Sequence, residues 1–235
     1  MQEVDVARSL RPEAPKLSEC GRWLRVNFDT PHLVKSWAVL GGGTSEAQAV
    51  IWHHVKDHEL GPGVDPRAFL TGKIEAYYGS DEVSAPLIGF LTGTFLVGHV
   101  ESCLQRSGMW VRCVATVGLN NALRIGDLPS PTASRPGTIN ILIQTSVPLS
   151  DAGAIEALSI ATEARTVAVL EGGAHSTAGP GIASGTGTDC IAVASPIGSD
   201  ATSVLYAGKH TILGHLIGAS TYEAVAKGVR NCKRY

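Results

Sequence analysis

Aromatic residues are scarce, 6% of 235 positions, and charged residues make up only 17%, with a formal balance of −2. No run of lysine and arginine occurs, so the phosphate neutralisation on which nucleic-acid affinity rests has no footprint. No apolar stretch reaches the roughly 20 residues that a membrane span needs. The five cysteines, Cys20, Cys103, Cys113, Cys190 and Cys232, are scattered and odd in number, and no C-x-x-C occurs. Residues Met1 to Pro15 are charged and proline-bearing, unlike a secretory signal. Together these features predict reduced thiols in the cytoplasm. The nucleophile elbow G-x-S-x-G is missing too, and no cysteine has a local catalytic signature. In its greasy run Cys190 reads as a core residue.

What is present is a 44% hydrophobic chain with 27 glycines. That is enough to bury a substantial core without disulfide staples and to form tight loops. Residues 1–20 read as an irregular lead-in. Leu24 to Phe28 alternates as a strand does, and Ser36 to Leu40 is a second strand ended by Gly41 to Gly43, the two suggesting a hairpin. Glu46 to Asp57 fits helix or strand. Asp65-Pro66 starts a helix that carries Phe69, Leu70, Ile74 and Tyr77 and stops at Gly79.

Strands are predicted at Leu87 to Phe95, Trp110 to Val117 and Ile139 to Thr145. In the last, Ile139, Ile141 and Ile143 make one greasy face, and Asn140 lies on the other. Pro129 to Pro136 reads as a lid or excursion. Ser150 or Asp151 caps a helix lined on one side by Ile155, Leu158, Ala161, Ala164 and Ala168. Glycine-rich residues Gly172 to Gly187 lead to a buried strand, Cys190 to Ala194. Thr211 caps a final helix with the stripe Ile212, Leu213, Leu216, Ile217, Ala224 and Val225. Strands in succession followed by helices favour an α+β fold: one domain over 21–235, a mixed or antiparallel sheet packed with helices, with α/β as the alternative.

Two corners concentrate polar chemistry. Gly185-Thr-Gly-Thr-Asp189 enters a strand, and Gly208-Lys-His-Thr211 enters a helix. The second is not a phosphate loop, because Ser203 stands where glycine belongs and His210 separates Lys209 from Thr211. A helix start with lysine and histidine beside it still suits an anion or an oxyanion. Asp189 at a strand mouth is placed to orient an imidazole or polarise water, and His210 is the candidate imidazole. Glu163, within a helix of small residues, faces either solvent or a cleft. Asn120, Asn121 and Asn140 either satisfy turn backbone or recognise an amide. His54 and His58 share a helix face if that segment is helical, but lack the Glu of H-E-x-x-H, so no metal site is assigned.

Several blocks in order are similar to the adenosylcobinamide amidohydrolase (CbiZ) family. They are Thr116-Val-Gly-Leu-Asn-Asn-Ala122, Gly126-Asp127, Pro136-Gly-Thr-Ile-Asn140, Thr162-Glu-Ala-Arg-Thr166, Ala183-Ser-Gly-Thr-Gly-Thr-Asp189 and Tyr206-Ala-Gly-Lys-His-Thr-Ile-Leu-Gly214. The early family patterns depart: Ser-Ser-Ala becomes Ser36-Trp-Ala38, Asn-Gly-Gly becomes Gly41-Gly-Gly43, and His53 stands near His54-Val55 where the family has Asn.

The resemblance implies hydrolysis of the amide joining the aminopropanol arm to a corrin ring, giving adenosylcobyric acid in cytoplasmic corrinoid salvage. Cobalt arrives in the substrate, and no cofactor is required of the protein. A corrinoid is the implied partner, with no nucleic acid and no membrane span, and a homo-oligomer stays open. The site it suggests has His210 as base and then acid, oriented by Asp189 or Glu163. Asn121, Thr138, Asn140, Thr186, Thr188, Lys209 and Thr211 would bind substrate. The rival readings are a corrinoid-binding protein without turnover and a nucleotide-dependent kinase or transferase using Gly208-Lys209.

Overall fold

A proline in the middle of an alternating apolar run shapes the first half of the molecule. In the computed structural model, which describes Glu13, Lys16–Leu17 and residues 21–81, 86–128 and 137–232, Trp23–Ser36 is one continuous strand, β2, following the short β1 at Lys16–Leu17. Its pairing with β3 (Gly43–His54) shifts register between Asn27 and His32, around Pro31. The extra residues bend the strand. Before the bend Trp23 packs against helix α1 (Pro66–Tyr78); after it Lys35 pairs with Asp151 of helix α2 (Asp151–Gly172) at 2.9 Å. One strand therefore serves both ends of a sheet that turns a corner.

The remaining strands are β4 (Leu87–Thr92), β5 (Val100–Arg106), β6 (Met109–Val117), β7 (Ala122–Leu123), β8 (Ile139–Thr145), β9 (Gly185–Thr186) and β10 (Cys190–Pro196); helix α3 is Ile212–Cys232. The sheet order is β4-β3-β2-β10-β8-β6-β5, with β1 on β2, and β7 and β9 form a separate ribbon. It is mixed: β8 and β10 are parallel, as are β3 and β4, and the other pairs are antiparallel. This is an α+β domain.

The sheet folds back on itself. On a flat sheet β4 and β8 would lie four strand spacings, about 19 Å, apart. Instead the Asn140 side-chain amide donates to the Leu91 carbonyl at 2.7 Å. Trp52 and Phe90 share a core with Leu142, Val114, Ala192 and Ala194. The other face of β6, β8 and β10 packs Ile139, Ile141, Ile143, Ile191 and Val193 against α2 and α3. The outer face of β3 and β4 packs Ile51 and Leu87 against Leu70 and Ile74 of α1. Each fully buried aliphatic or aromatic side chain in these layers stabilises by about 2–3 kcal/mol.

Local signals hold at the helix ends. The Asp65 carboxylate accepts from Arg67 N, Gly79 ends α1 with a positive φ, Ser150 caps α2 and the Thr211 hydroxyl accepts from Gly214 N. Four readings change. The lead-in is a strand at Lys16–Leu17, while the rest of residues 1–20 apart from Glu13 lies outside the described residues, as do residues 129–136. The early hairpin is β2 with β3, so Ser36 ends β2 and Leu40 only bridges to Gly89. The buried face of α2 runs through Ala154, Ala157, Ala161 and Ala168, leaving Ile155 61% exposed. Strand β5 is additional. No described helix is long and apolar enough to cross a membrane.

Candidate functional site

Parallel pairing of β8 with β10, at Cys190↔Asn140, puts the loops that enter both strands at one end of the sheet. Antiparallel β6 ends there as well, at Val117↔Ile139, so the loop leaving it joins them. Because the sheet folds over, the exits of β3 and β4 face these loops. Between them lies a cavity of about 320 Å³, walled by Val39, Val55, Lys56, Leu91 to Gly93, Asn121, Gly137, Thr138, Thr188 and Cys190, with Leu60 and Pro66 from the α1 side.

Asp189 ties the loops together. One carboxylate oxygen accepts from Ile139 N at 3.0 Å and from the Thr186 hydroxyl; the other accepts from Thr186 N at 2.9 Å and from Arg165 at 2.5 Å. These four bonds fill its acceptor sites. Its own carbonyl takes the Trp37 indole N–H at 2.5 Å, and the Thr138 hydroxyl donates to the Thr188 carbonyl at 2.8 Å. Gly137 must be a glycine, because a Cβ there would lie 2.8 Å from the backbone nitrogens of both Asn120 and Asn121. Burial, and then the Asp189 charge, push the Cys190 thiol up to about 11, away from the thiolate that a nucleophile needs.

The other corner lies elsewhere. Lys209 pairs with Glu163, and Ala207 N donates to Glu156 at 2.7 Å. Glu163 and Arg165 are two positions apart on α2, about 200° around the helix. Asp189, held by Arg165, and the Lys209–His210 loop, facing Glu163, thus fall on opposite flanks of α2. Neither suggested orienting carboxylate engages His210: Asp189 is saturated and Glu163 holds Lys209. Among the described residues His210 is exposed and joins no hydrogen bond or ion pair.

Of the suggested binding residues, Asn121, Thr138 and Thr188 wall the cavity. Asn140 is buried and spent on Leu91, and Thr186 on Asp189; Lys209 and Thr211 sit beyond α2. The sequence reading passed over Arg165, although it lies two residues after Glu163 in the same block.

A fixed ionic cluster backs the cavity wall. Glu59 accepts from Lys56 N at 2.9 Å, Arg22 at 2.5 Å and Lys73 at 3.1 Å. Partial burial works against its charge, but the Lys56 amide, Lys73 and Arg22 together hold its carboxyl down to about 2. Behind it His53 is buried against Trp23, and burial, with Arg22, lowers its pKa to about 4. The folded state therefore binds fewer protons than the unfolded chain between the ordinary value of 6.5 and about 4. His53 contributes stability above that window and loses it as pH falls through it, by about 3 kcal/mol in all. Thermal melts from pH 7 to pH 4 should show a drop roughly 10 °C larger in the wild type than in His53→Phe. Equal slopes would remove His53 from this role.

A protein-family profile described as CbiZ, adenosylcobinamide amidohydrolase, matches residues 11–235. The chain belongs to the adenosylcobinamide amidohydrolase family. Two relatives are similar to it. An adenosylcobinamide amidohydrolase of Halobacterium salinarum is 29% identical over 163 residues, 67% of this chain and 64% of that protein. The uncharacterised protein MJ1613 of Methanocaldococcus jannaschii is 37% identical over 94 residues, 40% of this chain and 36% of that one. The match thus spans under two thirds of either relative.

Among solved structures, the PH0078 protein of Pyrococcus horikoshii OT3 aligns with a TM-score of 0.42 at 14% identity, over 95% of this chain and 79% of that one. A beta-aminopeptidase of Burkholderia sp. aligns with a TM-score of 0.41 at 14% identity, over 94% and 82%. In the amidohydrolase family's terms, the Gly-Leu-Asn-Asn-Ala block, the Gly137 to Asn140 part of Pro-Gly-Thr-Ile-Asn and the Gly-Thr-Gly-Thr-Asp block meet at the inter-sheet cavity. Val55 and Lys56, from or beside a segment that departs from the family pattern, border it from the other side, and Trp37, from another such segment, reaches the Asp189 carbonyl.

Proposed function

We propose that the protein hydrolyses the amide between the aminopropanol arm and the corrin ring of adenosylcobinamide, yielding adenosylcobyric acid and aminopropanol in corrinoid salvage. Convergence of three family blocks on one cavity carries this reading. A sphere of 320 Å³ is about 8 Å across. That takes an amide arm, while the corrin ring with its substituents is wider. The arm enters, and the ring rests on the rim.

The rim suits an apolar disc. Trp37, Val64 and Phe95 are 46%, 41% and 72% exposed, and each lies within two residues of the wall. Inside, Asn121 and the Thr188 hydroxyl can hold the scissile amide, and Lys56 adds a cation for developing negative charge. Cobalt comes with the substrate as cargo, and no protein ligand set is assigned to it. The reaction is placed in the cytoplasm.

Pure protein incubated with adenosylcobinamide should release aminopropanol and cobyric acid, resolved by chromatography. Corrinoid bound without release would instead favour a binding protein on the same fold. No corrinoid binding at all would end both readings.

A further inference from the structure

We propose that His54 is the general base of this hydrolysis, acting at the mouth of the inter-sheet cavity; the inference rests on the hydrolytic reading above. Strand β3 alternates: Val50 and Trp52 point into the inter-sheet core, Ile51 out toward α1 and His53 onto Trp23. His54 continues the inward row. It is the last residue of β3, directly before the wall residues Val55 and Lys56, and opposite wall residue Thr92 in the β3–β4 register.

The ring is held on two sides. It stacks on Phe95, with centroids 5.0 Å apart, and faces the backbone of Gly93, another wall residue, which favours a proton on the ring. The facing group is therefore the Gly93 carbonyl. An imidazole that turns its N–H toward a carbonyl keeps its lone pair on the other nitrogen. This is the base-plus-orienter pairing that acyl transfer needs.

The charged and titratable neighbours are Arg22, Lys56, Glu59 and His53; burial, then Arg22, keep His54 below its ordinary pKa of 6.5. It is therefore neutral at pH 7. His210, across α2, has no comparable setting.

The step balances without a co-reactant. A water oxygen bonds to the amide carbon while its proton passes to the unprotonated His54 nitrogen. Collapse of the tetrahedral intermediate breaks the C–N bond, and His54 returns the proton to the departing amine. The products are a carboxyl group on the ring and free aminopropanol.

The test is steady-state aminopropanol release from adenosylcobinamide by wild type, His54→Gln and His54→Ala, with melting curves for each. Both variants should lose about 10²- to 10⁴-fold in kcat, with KM within about threefold. Wild-type kcat/KM should fall as pH drops through a midpoint below 6.5, because the base must be unprotonated, and this acid limb should be absent in His54→Gln. If His54→Ala melts early, His54→Gln carries the test, and turnover restored to His54→Ala by added imidazole supports the role. Variants within about threefold of wild-type kcat, or an unchanged acid limb, overturn His54 alone. A wild type that binds corrinoid but releases no aminopropanol overturns the hydrolytic reading and this base with it.

Discussion

Asp189→Ala is expected to destabilise the protein by about 3–5 kcal/mol and lower its Tm by roughly 10 °C. The substitution strands a guanidinium: the Arg165 side chain is only 13% exposed, and Asp189 is its charge partner. It also leaves the Ile139 and Thr186 amides and the Thr186 hydroxyl without their acceptor. A companion change makes the assignment sharp. Arg165→Met in the Asp189→Ala background removes the stranded charge, so the double variant should melt higher than Asp189→Ala alone. Calorimetry on wild type, Asp189→Ala, Arg165→Met and the double variant reads the coupling. An Asp189→Ala protein melting within about 2 °C of wild type would show that this carboxylate does not hold the loops. Turnover should fall in Asp189→Ala as well, because the loops it binds together carry Thr138 and Thr188 of the cavity wall.

Gly214→Ala should be nearly as damaging, costing about 2–4 kcal/mol, within the range of backbone-strain and overpacking substitutions. A Cβ on Gly214 would overlap the carbonyl oxygens of Ala207 and Gly208, where the chain crosses the first turn of α3. Those are backbone atoms and cannot swing aside as a side-chain tip can. The crossing is fastened by Thr211, whose hydroxyl donates to the Gly208 carbonyl at 2.8 Å and accepts from Gly214 N at 2.9 Å. Glycine, threonine and lysine in the Tyr206–Gly214 block are thus accounted for by packing, capping and the pairing with Glu163. His210→Ala, by contrast, should change Tm by under about 1 °C, since exposed positions away from such features are nearly neutral. A large loss there with an intact Gly214→Ala protein would reverse this division.

What could be read from the chain was what nearby residues decide. Asp65-Pro66, Ser150 and Thr211 announce helix starts because a cap and its amide lie within three residues. Strand β8 shows itself through its alternating isoleucines. Strand β5 does not, because Glu101, Cys103 and Gln105 alternate with Ser102 and Leu104 at a sheet edge, and neither row is uniformly apolar. Strand β3 hides because Ala49 to His53 are all buried, a run that fits two periods at once.

The same limit governs the site. Asp189 among hydroxyls looks like a catalytic carboxylate until Arg165, 24 residues upstream, is seen to occupy it. His54 looked like half of a metal pair with His58 only while the segment could be helical. As the end of a strand it does not share a helix face with His58.

Strand β10 lies in the sheet between β2 and β8, yet it is the last strand to leave the ribosome. Until it arrives, the bent N-terminal hairpin and the β5-β6-β8 meander each expose an open edge, separated by more than a hundred residues of chain. Folding should therefore be slow and finish in one late insertion, and a chain truncated before Cys190 should aggregate rather than form half a domain.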